Sequence, residues 1–140
     1  MSRALALDLG SVRIGVATSD PGRIIASPYT VITRGKDHDA DHAAIAACVD
    51  EADAAIVVVG LPRALSGKET AAAQAVRGEA EELRGRLRVP VVFWDERLST
   101  VTAQRSLIAG GMRRQARKGT VDKVAAAVIL QSWLDAGCPK

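Results

Sequence analysis

This sequence predicts an α/β fold, a mixed sheet covered by helices, and three observations carry the prediction. The first 34 residues hold three short extended segments separated by turn signals. From residue 39 onward, stretches with apolar residues at helical spacing alternate with short apolar runs. Two of those runs, 54–59 and 89–95, have the continuous character of strands buried on both faces.

Residues 3–8 form an apolar run closed by Asp8-Leu9-Gly10, a strand ending in a turn. Residues 12–19 are rich in β-branched side chains, and Asp20-Pro21-Gly22 is a strong turn signal. A third extended segment, 24–34, surrounds Pro28 and ends at Arg34-Gly35. Three strands joined by short turns predict an antiparallel meander. Residues 39–52 are Ala-rich with helical spacing, 54–59 read as a buried strand stopped by Gly60-Leu61-Pro62, and 69–87 read as a helix rich in Ala, Glu, Leu and Arg. After the strand at 89–95, helices are expected over 100–109 and 121–135, with Ser99 or Thr100 as N-cap of the first. Between them the Gly- and Arg-rich segment from Gly110 to Gly119 is expected to be a mobile loop. The order β-β-β-α-β-α-β-α-α calls for one mixed sheet with helices over it. The 140 residues suit one domain, spanning 1–140, with a core supported by 48% hydrophobic composition.

Composition narrows the function. Only 3% of residues are aromatic, too few for a platform that stacks single-stranded bases. Two cysteines, Cys48 and Cys138, make no disulfide framework and fit a reducing cytoplasm. Asp8 interrupts the opening apolar run, so no signal-peptide core is expected, and no stretch has the length of a membrane span. The expectation is a cytoplasmic protein without membrane contact.

Three acidic positions could carry chemistry. Asp8 ends the first strand; a carboxylate there either accepts backbone N–H bonds in the turn or serves as a metal ligand. Asp95 and Glu96 end the last strand, and ligands gather outside the carboxyl ends of parallel strands. Side chains alternate along a strand, so one of this pair can face a site while the other pairs with Arg97 or caps the next helix. Asp122 is expected in the first turn of the last helix, where an acid complements the helix dipole. The small residues Ala125, Ala126 and Ala127 let that helix approach the sheet and set Asp122 beside Asp8. Converging carboxylates form an oxygen-rich site for hard ions such as Mg²⁺ or Mn²⁺. Two such ions about 4 Å apart suit phosphodiester hydrolysis.

The net charge of +3 conceals a segregation. Residues 97–121 hold six basic side chains and no acid. Within them Arg113, Arg114, Arg117 and Lys118 are expected to grip a phosphate backbone, for which Arg is well shaped. Other motifs lead nowhere. Gly67-Lys68-Glu69-Thr70 lacks the glycine and hydroxyl positions of a P-loop, and no GxGxxG is present. Asp37 to His42 holds half the spacing of a zinc site with no CxxC to complete it, and reads as an acidic helix start on the surface.

Together these residues resemble the YqgF family, also called RuvX, of pre-16S rRNA nucleases and Holliday junction resolvase homologues. The matching pieces are Leu7-Asp8-Leu9-Gly10 with Arg13-Ile14-Gly15-Val16-Ala17, Ser19-Asp20-Pro21, Val58-Val59-Gly60-Leu61-Pro62, Asp95-Glu96-Arg97-Leu98-Ser99-Thr100, and Asp122-Lys123 followed by Ala125-Ala126 and Ile129-Leu130-Gln131. They span almost the whole chain in the family's order. The resemblance implies a ribonuclease H-like fold, a mixed five-stranded sheet with antiparallel strands one to three, flanked by helices. It implies a metal-dependent nuclease with Asp8, Glu96 and Asp122 as the acidic cluster holding Mg²⁺ or Mn²⁺, two ions. Arg13, Asp95, Arg97 and Thr100 are expected beside that cluster, supporting it. One departure stands out: after Gly-Leu-Pro many members carry an Asn-Met-Asp-Gly-like turn, where this chain has Arg63-Ala64-Leu65-Ser66-Gly67.

The leading expectation is a hydrolase that matures the 5′ end of pre-16S rRNA in ribosome biogenesis. The alternatives are a resolvase of four-way DNA and a non-catalytic nucleic-acid-binding factor in ribosome assembly or transcription. The partner is nucleic acid, pre-rRNA or branched DNA, and the protein a monomer or weak dimer. An actin-like phosphotransferase also opens with strand-Asp-x-Gly, but it needs a second lobe for which 140 residues leave no room.

Overall fold

A computed structural model of the chain describes residues 2–62, 68–98 and 114–140, with side chains throughout these except at 114–123. Its five strands are β1 (Arg3–Leu9), β2 (Arg13–Ser19), β3 (Ala26–Thr33), β4 (Ala54–Leu61) and β5 (Val91–Asp95). They form one sheet in the order β3-β2-β1-β4-β5. β1 pairs antiparallel with β2, and β2 with β3, as a meander requires. β4 then lies parallel to both β1 and β5. The three described helices are α1 (His38–Glu51), α2 (Ala71–Arg84) and α3 (Arg114–Asp135).

Strand alternation divides the core into two layers. On one face Leu5, Leu7, Ile14, Val57 and Val59 pack with Ile45 and Val49 of α1 and with Val76 and Leu83 of α2. On the other, Ala4, Ala6, Ala17 and Val58 pack with Ala125, Ala126, Ile129 and Trp133 of α3. The two faces differ in side-chain size for a reason. Alanines on both the sheet and α3 let the helix lie close over β1 and β2, whereas α1 and α2 stand off on leucine, isoleucine and valine. Each fully buried large aliphatic side chain contributes roughly 1.5–3 kcal/mol. No helix among the described residues is long and apolar enough to cross a membrane.

Local chemistry sets the element ends. At the β2–β3 turn the Asp20 carboxylate accepts from the backbone N–H of Gly22, Ile24 and Ile25, at 3.2, 2.8 and 2.8 Å. Those bonds hold its carboxyl below the usual range, the Ile25 and Ile24 bonds contributing most. Asp37 caps α1 by accepting from Ala40 N. Thr70 caps α2 by accepting from Ala73 N, so the helix starts at Ala71 rather than at the expected residue 69.

Two expectations need correction. Residues 114–119, read as part of a glycine-bounded loop, are helical: α3 begins at Arg114, seven residues before the expected start. Gln115, Ala116, Arg117 and Lys118 are good helix formers, and one interior glycine such as Gly119 costs only about 1 kcal/mol. Asp122 therefore lies in the third turn of α3, where the dipole argument for it no longer applies. The second correction concerns the run Asp37 to His42. It does start a helix, but Asp41 and His42 are buried, at 3% and 1% exposure. The helix expected over 100–109, its cap at Ser99 or Thr100, and the departure at Arg63 to Gly67 lie outside the described residues.

Candidate active site

The carboxyl ends of β1, β4 and β5 lie side by side at one edge of the sheet. Asp8 is the next-to-last residue of β1 and Glu96 follows β5 directly, in a short 3₁₀ turn. Both are buried, at 7% and 5% exposure. Position 8 shares a face with Ala4 and Ala6, which belong to the α3 face. Glu96 reaches the same face: a Cβ built on Gly60, between the two acids, would come within 3.3 Å of Glu96 Oε1 and 2.5 Å of Ile129 Cδ1. The bare glycine thus makes room at once for the carboxylate and for α3. Opposite Asp8 the register places Gly15, again without a side chain.

Asp95, one residue earlier, falls on the opposite pleat. Arg97 engages its carboxylate through the guanidinium at 2.6 and 3.0 Å and through the backbone N–H at 2.9 Å. That hydrogen bonding raises the Arg97 pKa further. The pair thus divides as alternation predicted, Glu96 toward the site and Asp95 to its arginine. Position 122 falls three, four and seven residues before Ala125, Ala126 and Ile129, α3 residues that pack on the sheet. The side chains of Asp122, Arg114, Arg117 and Lys118, and all of Thr100 and Arg113, lie outside what the structure describes.

A cleft of about 810 Å³ lies at this edge, lined by Asp8 and Glu96 and also by Arg34 and Glu79. The β1–β2 turn with Arg13 forms one lip, and α2 with Val76 forms part of the other. Arg34 ties this wall of the cleft together. Its Nη1 donates to Asp41 Oδ2 at 3.0 Å and to Glu79 Oε2 at 2.9 Å, and its Nη2 to Glu79 Oε1 at 2.8 Å. Its Nε donates to the carbonyl of Gly10 at 2.8 Å, two residues after Asp8. One side chain thus joins α1, α2 and the turn that leads out of the candidate site. Hydrogen bonding to Glu79 leads in raising the Arg34 pKa. The Gly35 N–H, followed by Arg34, holds the Asp41 carboxyl low. Desolvation pushes Glu79 up, but the bonds from Arg34 and His42 outweigh it and leave its carboxyl below the usual value.

His42 extends the network. Arg86 can only donate to its Nδ1, at 2.9 Å, so Nε2 carries the proton given to Glu79, also at 2.9 Å. His38 stacks on His42 with ring centroids 5.4 Å apart, and its bond to Glu82, at 2.6 Å, raises its pKa. His38, His42 and Glu79 bring ligand atoms within 4.8 Å of one another, a grouping of metal-site size. Both Glu79 oxygens are held by Arg34 and His42 Nδ1 by Arg86, so an ion would have to displace two arginines. Sequence reasoning missed this network. The available signal was Glu79, an acid set beside the buried positions Ala73, Val76, Ala80 and Leu83 of α2.

The oxygen donors Asp8 and Glu96, buried on one face beside glycines, fit a hard divalent cation. Comparison with known proteins bears on the same region. A family model described as "RuvX: Holliday junction resolvase" matches residues 2–136. A protein of Mycobacterium sp. (strain KMS), named "Putative pre-16S rRNA nuclease", is 47% identical over 134 residues, covering 95% of this chain and 79% of its own. One of the same name from Mycolicibacterium smegmatis is 46% identical over 136 residues, covering 95% and 80%. Among solved structures, RuvC of Thermus thermophilus in complex with a Holliday junction substrate superposes with a TM-score of 0.59 at 14% identity, covering 99% of this chain and 98% of that one. The yeast mitochondrial Holliday junction resolvase gives 0.52 at 14% identity, covering 95% and 78%. These likenesses show the ribonuclease H-like fold expected from the sequence.

Proposed function

The chain belongs to the RuvX family, and from its site we propose that it is a divalent-metal-dependent endonuclease that matures the 5′ end of pre-16S rRNA. The observation that carries this reading is the burial of Asp8 and Glu96 on one sheet face, at the carboxyl ends of β1 and β5 on either side of β4, lining one cleft. Buried carboxylates are costly unless opposite charge or hydrogen bonds offset the burial. Asp8, Glu96 and Asp122 would hold Mg²⁺ or Mn²⁺, two ions, with Asp8 shared. Such ions supply electrostatic stabilisation at phosphorus and acidify water. The chain's own part is to fix the carboxylates. Asp8 sits on a strand paired on both sides, and Glu96 lies over Gly60. Arg97 engages Asp95 on the opposite pleat, leaving Glu96 the acid on the site face. Arg113, Arg114, Arg117 and Lys118 would grip the substrate backbone.

A second reading, cleavage of four-way DNA, is favoured by the description of the matching family model. One panel separates them: purified protein with Mg²⁺ or Mn²⁺ on a 5′-extended 16S rRNA fragment and on a four-way junction at matched salt. Cleavage of the RNA at the mature 5′ end, lost in Asp8→Asn with the fold retained, is expected. Cleavage of the junction alone would select the resolvase reading. Binding without cleavage, unchanged in Asp8→Asn, would leave a non-catalytic factor.

A further inference from the structure

We infer that Arg13 and Lys36 form a second phosphate-binding lip on the cleft, which takes the sugar-phosphate backbone of a nucleic-acid strand beside Asp8 and Glu96. This rests on the nuclease reading and names the surface along which its substrate lies.

Three observations support it. First, the Arg13 and Lys36 side chains line the cleft and, among the described residues, make no hydrogen bond or ion pair. This is unusual here. Apart from Arg3, at the opposite edge of the sheet, every other arginine whose side chain is described is held by a carboxylate or a carbonyl. Arg34, also in the cleft, has its charge taken up by Asp41 and Glu79. The acid nearest Lys36 in sequence, Asp37, is occupied in capping α1.

Second, register places Arg13 on the side of Asp8. Asp8 pairs with Gly15, and positions 13 and 15 share a face. A phosphate contacting Arg13 therefore belongs to the same strand as one approaching Asp8, with no side chain at Gly15 between them.

Third, the backbone under both residues is fixed in advance. Arg34 N donates to Val12 O at 3.0 Å, Arg34 Nε to Gly10 O at 2.8 Å, and Gly35 N to Asp41 Oδ1 at 2.7 Å. The β1–β2 turn and the β3–α1 loop are thus tied together, and their two open cations stand on a pinned frame. A preorganised pair loses less on binding than two free side chains. An arginine and a lysine that contact phosphate bind without reading bases, so this lip serves RNA and DNA alike.

The test uses the full chain carrying Asp8→Asn, so that nothing is cut. Fluorescence anisotropy would measure its binding to the 5′-extended 16S rRNA fragment and to the four-way junction over a salt series. Losing two phosphate contacts lowers the slope of log Kd against log salt by about 1.4 for a single strand and about 1.8 for duplex. R13Q/K36Q is therefore expected to bind on the order of 10- to 100-fold more weakly near 0.1 M salt with that smaller slope. R88Q, whose arginine pairs with Asp50, is expected to bind as the parent does. The charge-keeping R13K/K36R should stay within about threefold of the parent, since the slope counts charges. R13Q/K36Q that keeps the parent's affinity and slope would overturn the lip and leave the nuclease reading standing. R13K/K36R as weak as R13Q/K36Q would also overturn it, since shape rather than charge would then matter. A parent that binds neither substrate would overturn both.

Discussion

Replacing Arg34 with methionine keeps an unbranched stem and removes a cation that lines the cleft. Its consequence follows from what it strands. The Asp41 and Glu79 side chains are 4% and 6% exposed, and three of their hydrogen bonds come from this guanidinium. Hydrogen bonds to charged groups contribute about 1.5–3 kcal/mol each. Their plain sum overstates the loss, because Asp41 keeps its bond from Gly35 N and Glu79 keeps the one from His42. Breaking a buried ion pair from one side costs about 3–5 kcal/mol, and that range is expected here. Against a typical total of about 5–15 kcal/mol it is a large fraction. For a chain of this length it amounts to a fall of about 10–20 °C in Tm.

The assay is urea and thermal unfolding followed by far-UV circular dichroism at pH 7.5. The triple variant R34M/D41N/E79Q, which removes the stranded charges as well, should recover much of the loss. An Arg34→Met protein within about 1 kcal/mol of the parent, or a triple variant no better than the single, would refute the reasoning. The pH dependence adds a sign. Asp41 and Glu79 have lowered folded pKa values. Their contribution is present above their unfolded values near 4 and lost as pH falls through the lower folded ones. The gap between parent and variant should therefore be full at neutral pH and close in acid.

Three further predictions concern the site's frame. Gly10→Ala puts a Cβ 2.5 Å from the backbone carbonyl of Arg13, a contact no rotamer relieves; the turn must open, and cleavage should fall at least tenfold in the panel above. Gly60→Ala meets the buried Ile129 Cδ1 instead, at 2.5 Å, and overpacking of this kind costs about 1–3 kcal/mol; Ile129→Val beside it should restore stability in urea unfolding. His38, about half exposed, has a raised pKa, so its contribution is full below the unfolded value near 6.5 and fades as pH rises through the folded one. Comparing parent with His38→Gln at pH 5.5 and 8.5 should show a gap below about 1 kcal/mol that is larger at the lower pH.

What was legible in the sequence and what was not follows from range. Strand runs and the turn at Asp20 are written within a few residues, and these were read correctly. So was the division between Asp95 and Glu96, because alternation is local and an arginine stands two places on. The placement of Asp8 and Glu96 on one face needed the sheet order, which the β-β-β-α-β-α-β pattern nearly determines. The start of α3 failed for a different reason: Gly119 was weighted as a boundary, although one glycine costs a long helix little. The Arg34 network failed because its parts come from a strand end and two helices up to 45 residues apart. Each part looks like surface charge alone. Asp41 and His42 read as an exposed helix start, Glu79 as one more acid on an Arg- and Glu-rich helix, and Arg34 as the end of a strand. Only packing α1 and α2 over β1 and β4 buries them, and burial converts ordinary charges into a clamp on the turn beside Asp8. Arg13 shows the converse. The sequence places it only as a support beside the acidic cluster, and its open position in the cleft shows in the structure alone, where, apart from Arg3, the other arginines whose side chains are described have partners.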